Sequence, residues 1–184
     1  MPHSRSISTL VEVLYDGNGY FVGEVVCFLQ RHWGMYMDWH ENLIEDEAGL
    51  RELLTGARRI AVLGIRSEEH SSRPAFYVPQ YLASAGLEVI PVPVYDLHVT
   101  EILGRKVYRK VADVPGEVDI VDVFRRAEDI PPHLEDILAK APKAVWFQSG
   151  IRNDAAAERL ARAGIKVVQD RCLMVDHRRH AGRR

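Results

Sequence analysis

The sequence predicts an α/β fold, a doubly wound and mainly parallel sheet of five or six strands with helices on both faces. From about residue 43 onward, short β-branched runs alternate with segments of helical period, which is typical of a parallel sheet covered by helices. The chain has 184 residues, 47% of them hydrophobic, and is therefore long enough to bury a single core. Its 13 glycines and 9 prolines are an ordinary globular content.

Each strand is predicted from a run of apolar, mostly β-branched residues. A short edge strand is also expected at 104–108, within an otherwise irregular crossover from 96 to 116. The five main strands are predicted at 59–63, 87–92, 118–124, 143–149 and 165–169.

The helices are predicted from apolar spacing and from capping residues. Leucines at helical spacing indicate a helix over 50–55, which Gly56 ends. A second helix is predicted over 74–85, where Pro79 must lie in the first turn or kink the helix. Asp129 and Asn153 are the expected N-caps of two further helices, and Gly164 follows the last of them.

Residues 1–40 differ in kind from the domain predicted over 41–177. Two apolar runs flank an Asp-Gly-Asn-Gly turn at 16–19, a pattern that predicts a hairpin. An isolated hairpin is barely stable, so this leader must pack on the main domain, pair in a homo-oligomer or be disordered. Residues 178–184 are predicted to form a basic tail, and His177 and His180 beside it are interpreted as solvated rather than as metal ligands.

Charge and composition exclude several classes of partner. Lys and Arg number 24 against 26 Asp and Glu, so no basic field would attract nucleic acid or anionic lipid. The longest uncharged apolar stretch, 25–30, is too short to span a bilayer, and no signal-peptide pattern is present. The two cysteines, Cys27 and Cys172, lie far apart, as is typical of a reducing compartment. We therefore expect a cytoplasmic protein.

Chemistry is expected at the carboxyl ends of the strands, where ligands bind to open parallel sheets. Gly64 ends the first strand, and the loop after it leads into a helix N-terminus, which favours binding of an anion. Arg66 and Arg73 supply positive charge, although they have the alternative of pairing with acidic neighbours at 68 and 69. Neither the G-x-G-x-x-G fingerprint nor a Walker loop is present, which disfavours NAD and ATP.

Six pieces of the chain, taken in order, resemble the small single-domain CoA-binding proteins related to the CoA-binding domain of the succinyl-CoA synthetase α subunit. The similarity covers about 42–177 and excludes the leader. The pieces are IAVLG (60–64), RPAFYVP (73–79), EVIPV (88–92), VDIVDVFR (118–125), AVWFQSGI (144–151) and DRCLMV (170–175).

The resemblance implies a Rossmann-like fold that binds coenzyme A in an extended groove. Phosphates are expected near the Gly64 loop and the following helix start, the adenosine or diphosphate near the end of the second strand, and pantetheine near the loop after residue 147. The sequence departs from the family pattern directly after Gly64. The residues implied to hold the cofactor are Gly64, Ile65, Arg66, Ser72, Arg73, Pro74, Tyr77, Pro91, Val92, Phe124, Arg125, Gln148, Gly150, Ile151 and Cys172.

A non-catalytic or regulatory CoA-binding protein is the function that these observations favour. Asp119 and Asp122 lie three apart on a strand and therefore face opposite sides, which removes the best acid–base pair. One alternative is an enzyme that uses acyl-CoA or NAD(P). Another is a thiol-redox protein in which Cys172, favoured as a thiolate by Arg171, forms a mixed disulfide with CoA.

Overall fold

A central sheet of parallel strands dominates the computed structural model, which describes residues 38–95 and 98–180. The strands are β1 (Arg59–Leu63), β2 (Glu88–Val92), β3 (Glu101–Ile102), β4 (Arg105–Lys106), β5 (Ile120–Val123), β6 (Ala144–Phe147) and β7 (Lys166–Val168). Five of them form the sheet in the order β2-β1-β5-β6-β7. Every pair of neighbouring strands in it is parallel. At one side of the sheet Ile60 of β1 lies opposite Val89 of β2, and at the other side Trp146 of β6 lies opposite Val168 of β7.

Helices cover both faces of this sheet, which confirms the predicted doubly wound α/β class. They are α1 (Glu47–Gly56), α2 (Pro74–Ser84), α3 (Leu134–Lys140), α4 (Asp154–Arg162) and α5 (Leu173–His180). Helices α1, α2 and α5 pack on one face, where Ile60 and Val62 of β1 point. Helices α3 and α4 pack on the other face, against Ala61 and Leu63. The alternation along β1 thus divides the core into two layers.

The crossover between β2 and β5 differs from its prediction. Strands β3 and β4 pair only with each other, as an antiparallel hairpin, so the expected sixth strand lies outside the main sheet. Leu103 and Gly104 both have positive φ, 55° and 65°, which is typical of a tight hairpin turn. The hairpin is tied to the sheet through the Tyr108 N–H, which donates to the Pro91 carbonyl over 2.9 Å.

Helix α5 corrects the prediction for the end of the chain. The tail was expected to begin at residue 178, but the helix continues through His180, and the rest of the expected tail, 181–184, lies outside the described residues. His177, expected to be solvated, is 7% exposed, and its Nδ1 is hydrogen-bonded to the Tyr81 hydroxyl. The Glu47 carboxylate forms ion pairs with Arg171 and Arg179, and its Oε2 lies 2.8 Å from His180 Nε2. These contacts dock α5 on α1 and α2.

The chain enters the domain along β7. The Ile44 N–H donates to the Val167 carbonyl over 2.8 Å, and Leu43 forms a parallel bridge with the same residue. The hairpin predicted for the leader lies outside the described residues. Within 38–95 and 98–180, no helix is long and apolar enough to cross a membrane.

Candidate ligand-binding cleft

A cleft of about 830 Å³ opens at the carboxyl edge of the sheet, between the loops that follow β1 and β5. Strand order reverses there, because the chain runs from β1 to β2 on one side and later to β5 on the other. Loops that follow the two central strands diverge at such a point and leave a crevice for a ligand. The topology therefore places the cleft where ligands bind to open α/β sheets.

Gly64 brings the two central loops together at the floor of the cleft. Its φ is +88°, and a Cβ at this position would lie 2.6 Å from the Phe124 carbonyl oxygen. Its N–H donates to the Val92 carbonyl over 2.8 Å. Only glycine combines this backbone conformation with so close an approach.

Pro79 links the Gly64 loop to the start of α2. It lies in the second turn of the helix, not in the first turn, and has no N–H to donate to the Ala75 carbonyl four residues earlier. That carbonyl instead accepts a hydrogen bond of 3.0 Å from the Arg66 N–H. Pro79 thus helps to hold the loop against the N-terminus of α2, where the Ala75 N–H has no intrahelical acceptor.

Arg125 is the most unusual side chain of the cleft. It is only 9% exposed, and its Nη2 lies 3.4 Å from Asp129 Oδ2. Its Nε and Nη1 are buried, and neither has a hydrogen-bond partner within residues 38–95 and 98–180. The guanidinium also stacks on the half-exposed Tyr95 ring, 4.8 Å from the ring centre, and Arg66 stacks on that ring at 4.1 Å.

Arg73 lies at the N-terminus of α2 and is exposed. The expected alternative was an ion pair between this arginine and an acidic neighbour. Among the described residues Arg73 forms no ion pair, and Glu68 instead accepts a hydrogen bond of 2.8 Å from the Leu103 N–H. Positive charge therefore gathers on the side of the cleft formed by the β1 and β5 loops.

The opposite side of the cleft begins at Gln148, directly after β6. This side chain is 4% exposed, and its Nε2 donates to Asp122 Oδ1 over 2.8 Å. Asp122 is fully buried, and the loss of hydration raises its pKa to about 8. Its Oδ2 has no hydrogen-bond partner. Asp119 lies at the other end of β5 and accepts from the N–H groups of Arg58 and Arg59, so the two carboxyls do not converge.

Gly150 leaves the cleft open beyond Gln148. Its φ is +78°, its N–H donates to Asp170 Oδ1 over 2.6 Å, and a Cβ there would meet nothing within 4 Å. Cys172, a free and partly buried thiol, lines the same end of the cleft. Arg171, the neighbour expected to act on this thiol, has its guanidinium engaged by Asp176, at 2.7 and 2.9 Å, and by Glu47.

Eleven of the fifteen predicted site residues line this one cleft. Their role in binding a ligand remains a prediction. They are Gly64, Arg66, Arg73, Pro74, Tyr77, Phe124, Arg125, Gln148, Gly150, Ile151 and Cys172.

The other four predicted site residues do not line the cleft. Ile65 and Val92 are fully buried in the core, because both point toward a helix-covered face of the sheet. Pro91 is buried in β2 and turns its carbonyl to Tyr108. Ser72 is exposed on the loop that precedes α2.

Seven residues that line the cleft were absent from the predicted site. Tyr95 is the most informative of them, since it follows the carboxyl end of β2 and its position alone would have justified including it. The seven are Ala75, Val78, Tyr95, Arg126, Ala127, Glu128 and Ser149.

The fold and the cleft define a small α/β ligand-binding domain, and comparison with known proteins identifies its family. The model of the CoA-binding domain family matches residues 58–178, so the chain belongs to that family. The predicted resemblance to CoA-binding proteins is thereby confirmed.

Known relatives match about three quarters of the chain. It is 35% identical over 132 residues, 71% of this chain and 93% of the relative, to YneT, an uncharacterized protein of Bacillus subtilis. A Thermus thermophilus protein solved as cell-free ID.343 is 43% identical, with a TM-score of 0.69, over 74% of this chain and 99% of that one. A hypothetical protein from Pyrococcus horikoshii is 32% identical, with a TM-score of 0.67, over 75% of this chain and 94% of that one.

Proposed function

We propose that the cleft at the carboxyl edge of the sheet binds coenzyme A or an acyl-CoA, and that the protein is a non-catalytic, regulatory CoA-binding protein. The observation that carries the proposal is the buried Arg125 guanidinium. Two of its nitrogens find no partner in the part of the chain that the structure describes, an arrangement that costs free energy unless a ligand completes it. An anionic ligand supplies that partner.

The phosphates of CoA suit the charged side of the cleft. Arg66, Arg73 and Arg125 surround the N-terminus of α2, where the helix dipole also favours an anion. Guanidinium groups bind phosphate in bidentate geometry. Family membership supports CoA as the source of these phosphates.

The pantetheine arm suits the less charged side, toward Gln148 and Gly150. Gln148 presents its carboxamide to the cleft and is oriented by Asp122, which its Nε2 contacts. The open space above Gly150 admits an extended chain. A volume of about 830 Å³ falls within the range of small-molecule sites, roughly 300–1,000 Å³.

A binding role is supported by the ionisable groups of the cleft. Glu128 contributes a carboxylate to the lining of the cleft. This side chain is exposed, and it forms an ion pair with Arg126 at 3.4 Å. Asp122 is shielded behind Gln148 and has no exposed surface. A general acid or base must reach a proton of the substrate, and neither carboxyl is placed to do so with a defined partner.

Calorimetric titration of Arg125→Met tests the proposal. Methionine keeps most of the packing volume but removes the charge, so CoA affinity should fall about 10- to 100-fold, as expected for lost charge-assisted hydrogen bonds. The apo variant should melt no lower than the wild type, because a buried charge with two unpartnered nitrogens is removed. Arg51→Met is the matched control, since Arg51 is exposed on α1 and does not line the cleft.

The same titration distinguishes the alternative ligands. Wild-type protein should bind CoA and should not bind NAD at comparable concentration. Unchanged CoA affinity in Arg125→Met, or equal binding of NAD and CoA, would contradict the proposed site or its ligand.

A further inference from the structure

Cys172 lies at a junction between two depressions of the surface. It lines the cleft, and together with Ser149 it also lines a neighbouring depression of about 340 Å³ along α5. The thiol is free and partly exposed, and the residue directly precedes α5, where its carbonyl accepts the Asp176 N–H. A ligand in the cleft that extends past Gly150 therefore reaches Cys172, a residue that is also partly exposed.

We infer that Cys172 exchanges with the disulfide form of CoA in this cleft and holds one CoA as a mixed disulfide. The inference rests on the proposed function. It assigns to the same site a redox chemistry, thiol–disulfide exchange, with a CoA-containing disulfide as the substrate.

The strand order supports this placement of the two ends of the ligand. Arg73 follows β1, Arg125 follows β5, Gln148 follows β6 and Cys172 follows β7. Neighbouring strands are ~4.8 Å apart, so the carboxyl ends of β5 and β7, which precede Arg125 and Cys172 in the chain, are separated by two spacings, roughly 10 Å. An extended pantetheine arm covers such a span with its sulfur at the far end.

Two buried polar side chains mark the path between the arginines and the thiol. Arg125 lines the cleft at the anion end, and two nitrogens of its buried guanidinium have no hydrogen-bond partner among the described residues. Gln148 donates through Nε2 to Asp122, and its Oε1 accepts no hydrogen bond from the described residues. That oxygen is available to an amide N–H of the arm. The cysteine therefore lies beyond a series of groups that suit the ligand.

The exchange conserves atoms and electrons without an outside oxidant. Cys172 loses its thiol proton, and its sulfur attacks one sulfur of the CoA disulfide. The new bond joins Cys172 to that CoA as the original sulfur–sulfur bond breaks. The second CoA leaves as a thiolate and takes up a proton. One disulfide is consumed and one is formed, and a thiol reductant reverses the step.

Intact-mass analysis under non-reducing conditions tests the inference on the full chain. Reduced protein is incubated with CoA disulfide and, separately, with hydroxyethyl disulfide at the same concentration. We expect one CoA adduct per chain, lost in Cys172→Ser and retained in Cys27→Ser. The adduct should form about tenfold faster or more with CoA disulfide, because the bound substrate is positioned beside the thiol. Excess reduced CoA should slow it.

The controls separate this inference from the proposed function. Reduced wild-type protein should bind reduced CoA in calorimetry. If it does so but forms no adduct with CoA disulfide, or if Cys27 reacts as fast as Cys172, covalent capture is wrong and the binding proposal stands. If the reduced protein does not bind reduced CoA, both are wrong. Equal rates with the two disulfides would show that the cleft does not position CoA disulfide beside Cys172, and would also overturn the inference.

Discussion

Asp122 is a buried carboxyl whose titration should be visible in the stability of the protein. Burial raises its folded-state pKa to about 8, against about 3.9 for an unfolded Asp. Between these values the folded state binds more protons than the unfolded state, so stability falls as pH rises. This destabilisation is absent below the unfolded pKa and complete above the folded one.

Asp122→Asn should therefore become progressively more stable than the wild type as pH increases from about 4 to about 8. The difference in free energy of unfolding should grow by at most roughly 1.4 kcal/mol per pH unit and then level off. Urea denaturation of both proteins at pH 5, 7 and 9 measures it. A difference that is the same at all three values would show that the carboxyl titrates normally.

Gly64 should be the least replaceable glycine near the cleft. Gly64→Ala combines a left-handed backbone, which costs an L-residue about 1–2 kcal/mol, with a contact of 2.6 Å to the Phe124 carbonyl oxygen. Gly86→Ala is the matched control, because its φ is +90° but a Cβ there meets nothing within 4 Å.

We expect Gly86→Ala to lose about 1–2 kcal/mol of stability and to keep CoA affinity. Gly64→Ala should lose more, and should also bind CoA less tightly because the β1 and β5 loops must separate. Chemical denaturation and calorimetry give the two quantities. Similar losses in both variants would mean that the close approach at Gly64 does not constrain the cleft.

At the scale of the elements, the sequence was most informative where one pattern determined one structure. The five main strands are all present. The first keeps its predicted bounds, and the other four are one to three residues shorter than predicted because the predicted runs extend past the ladder hydrogen bonds. Helix α5 was missed. It buries only Leu173, Asp176 and His177, and two of those residues are polar, so no apolar stripe marks it. The helix is attached through Glu47, which is distant in the sequence, and a local sequence pattern does not reveal such a tertiary contact.

The residues of the cleft could be predicted from the sequence where they directly follow a predicted strand. Residues directly after β1, β5 and β6 were placed correctly at the carboxyl edge, since parallel strands bring those ends together. Ile65 was misplaced because the side to which its side chain turns depends on the loop path. The orphan nitrogens of Arg125 depend on burial, which no spacing in the sequence specifies.

The segment that enters the domain along β7 gives a test at this scale. Asn42 donates to the Ala161 carbonyl over 2.9 Å, and Leu43 and Ile44 pair with Val167. A chain that begins at Asp38 keeps these contacts, whereas one that begins at Glu45 loses them and retains the Asp46 cap of α1. We expect the first to unfold cooperatively and to bind CoA like the full chain.

The chain that begins at Glu45 should melt at a lower temperature, because β7 then has an unpaired edge. Differential scanning calorimetry of both shortened proteins measures the effect. Equal melting temperatures would show that residues 42–44 contribute nothing to the fold. Loss of the cooperative transition in the longer of the two would make residues 1–37 part of the folding unit.

For the whole molecule, topology and charge favour one edge of the sheet, and the family favours CoA as the ligand. The switch between β1 and β5 creates the cleft, three arginines and a helix N-terminus supply positive charge, and the family is that of CoA-binding domains. The opposite edge offers a second depression, lined by Asp119, Lys143 and Lys166, in which both lysines already pair with carboxylates. CoA bound at one edge would therefore contact different residues from CoA bound at the other edge.

Amide chemical-shift mapping during a CoA titration distinguishes these two edges most directly. If CoA occupies the cleft, the N–H signals of Gly64, Ala75 and Gly150 should shift in a saturable way, and those of Asp119 and Lys143 should not. Shifts confined to the Asp119 edge, or scattered without saturation, would contradict binding of CoA in this cleft.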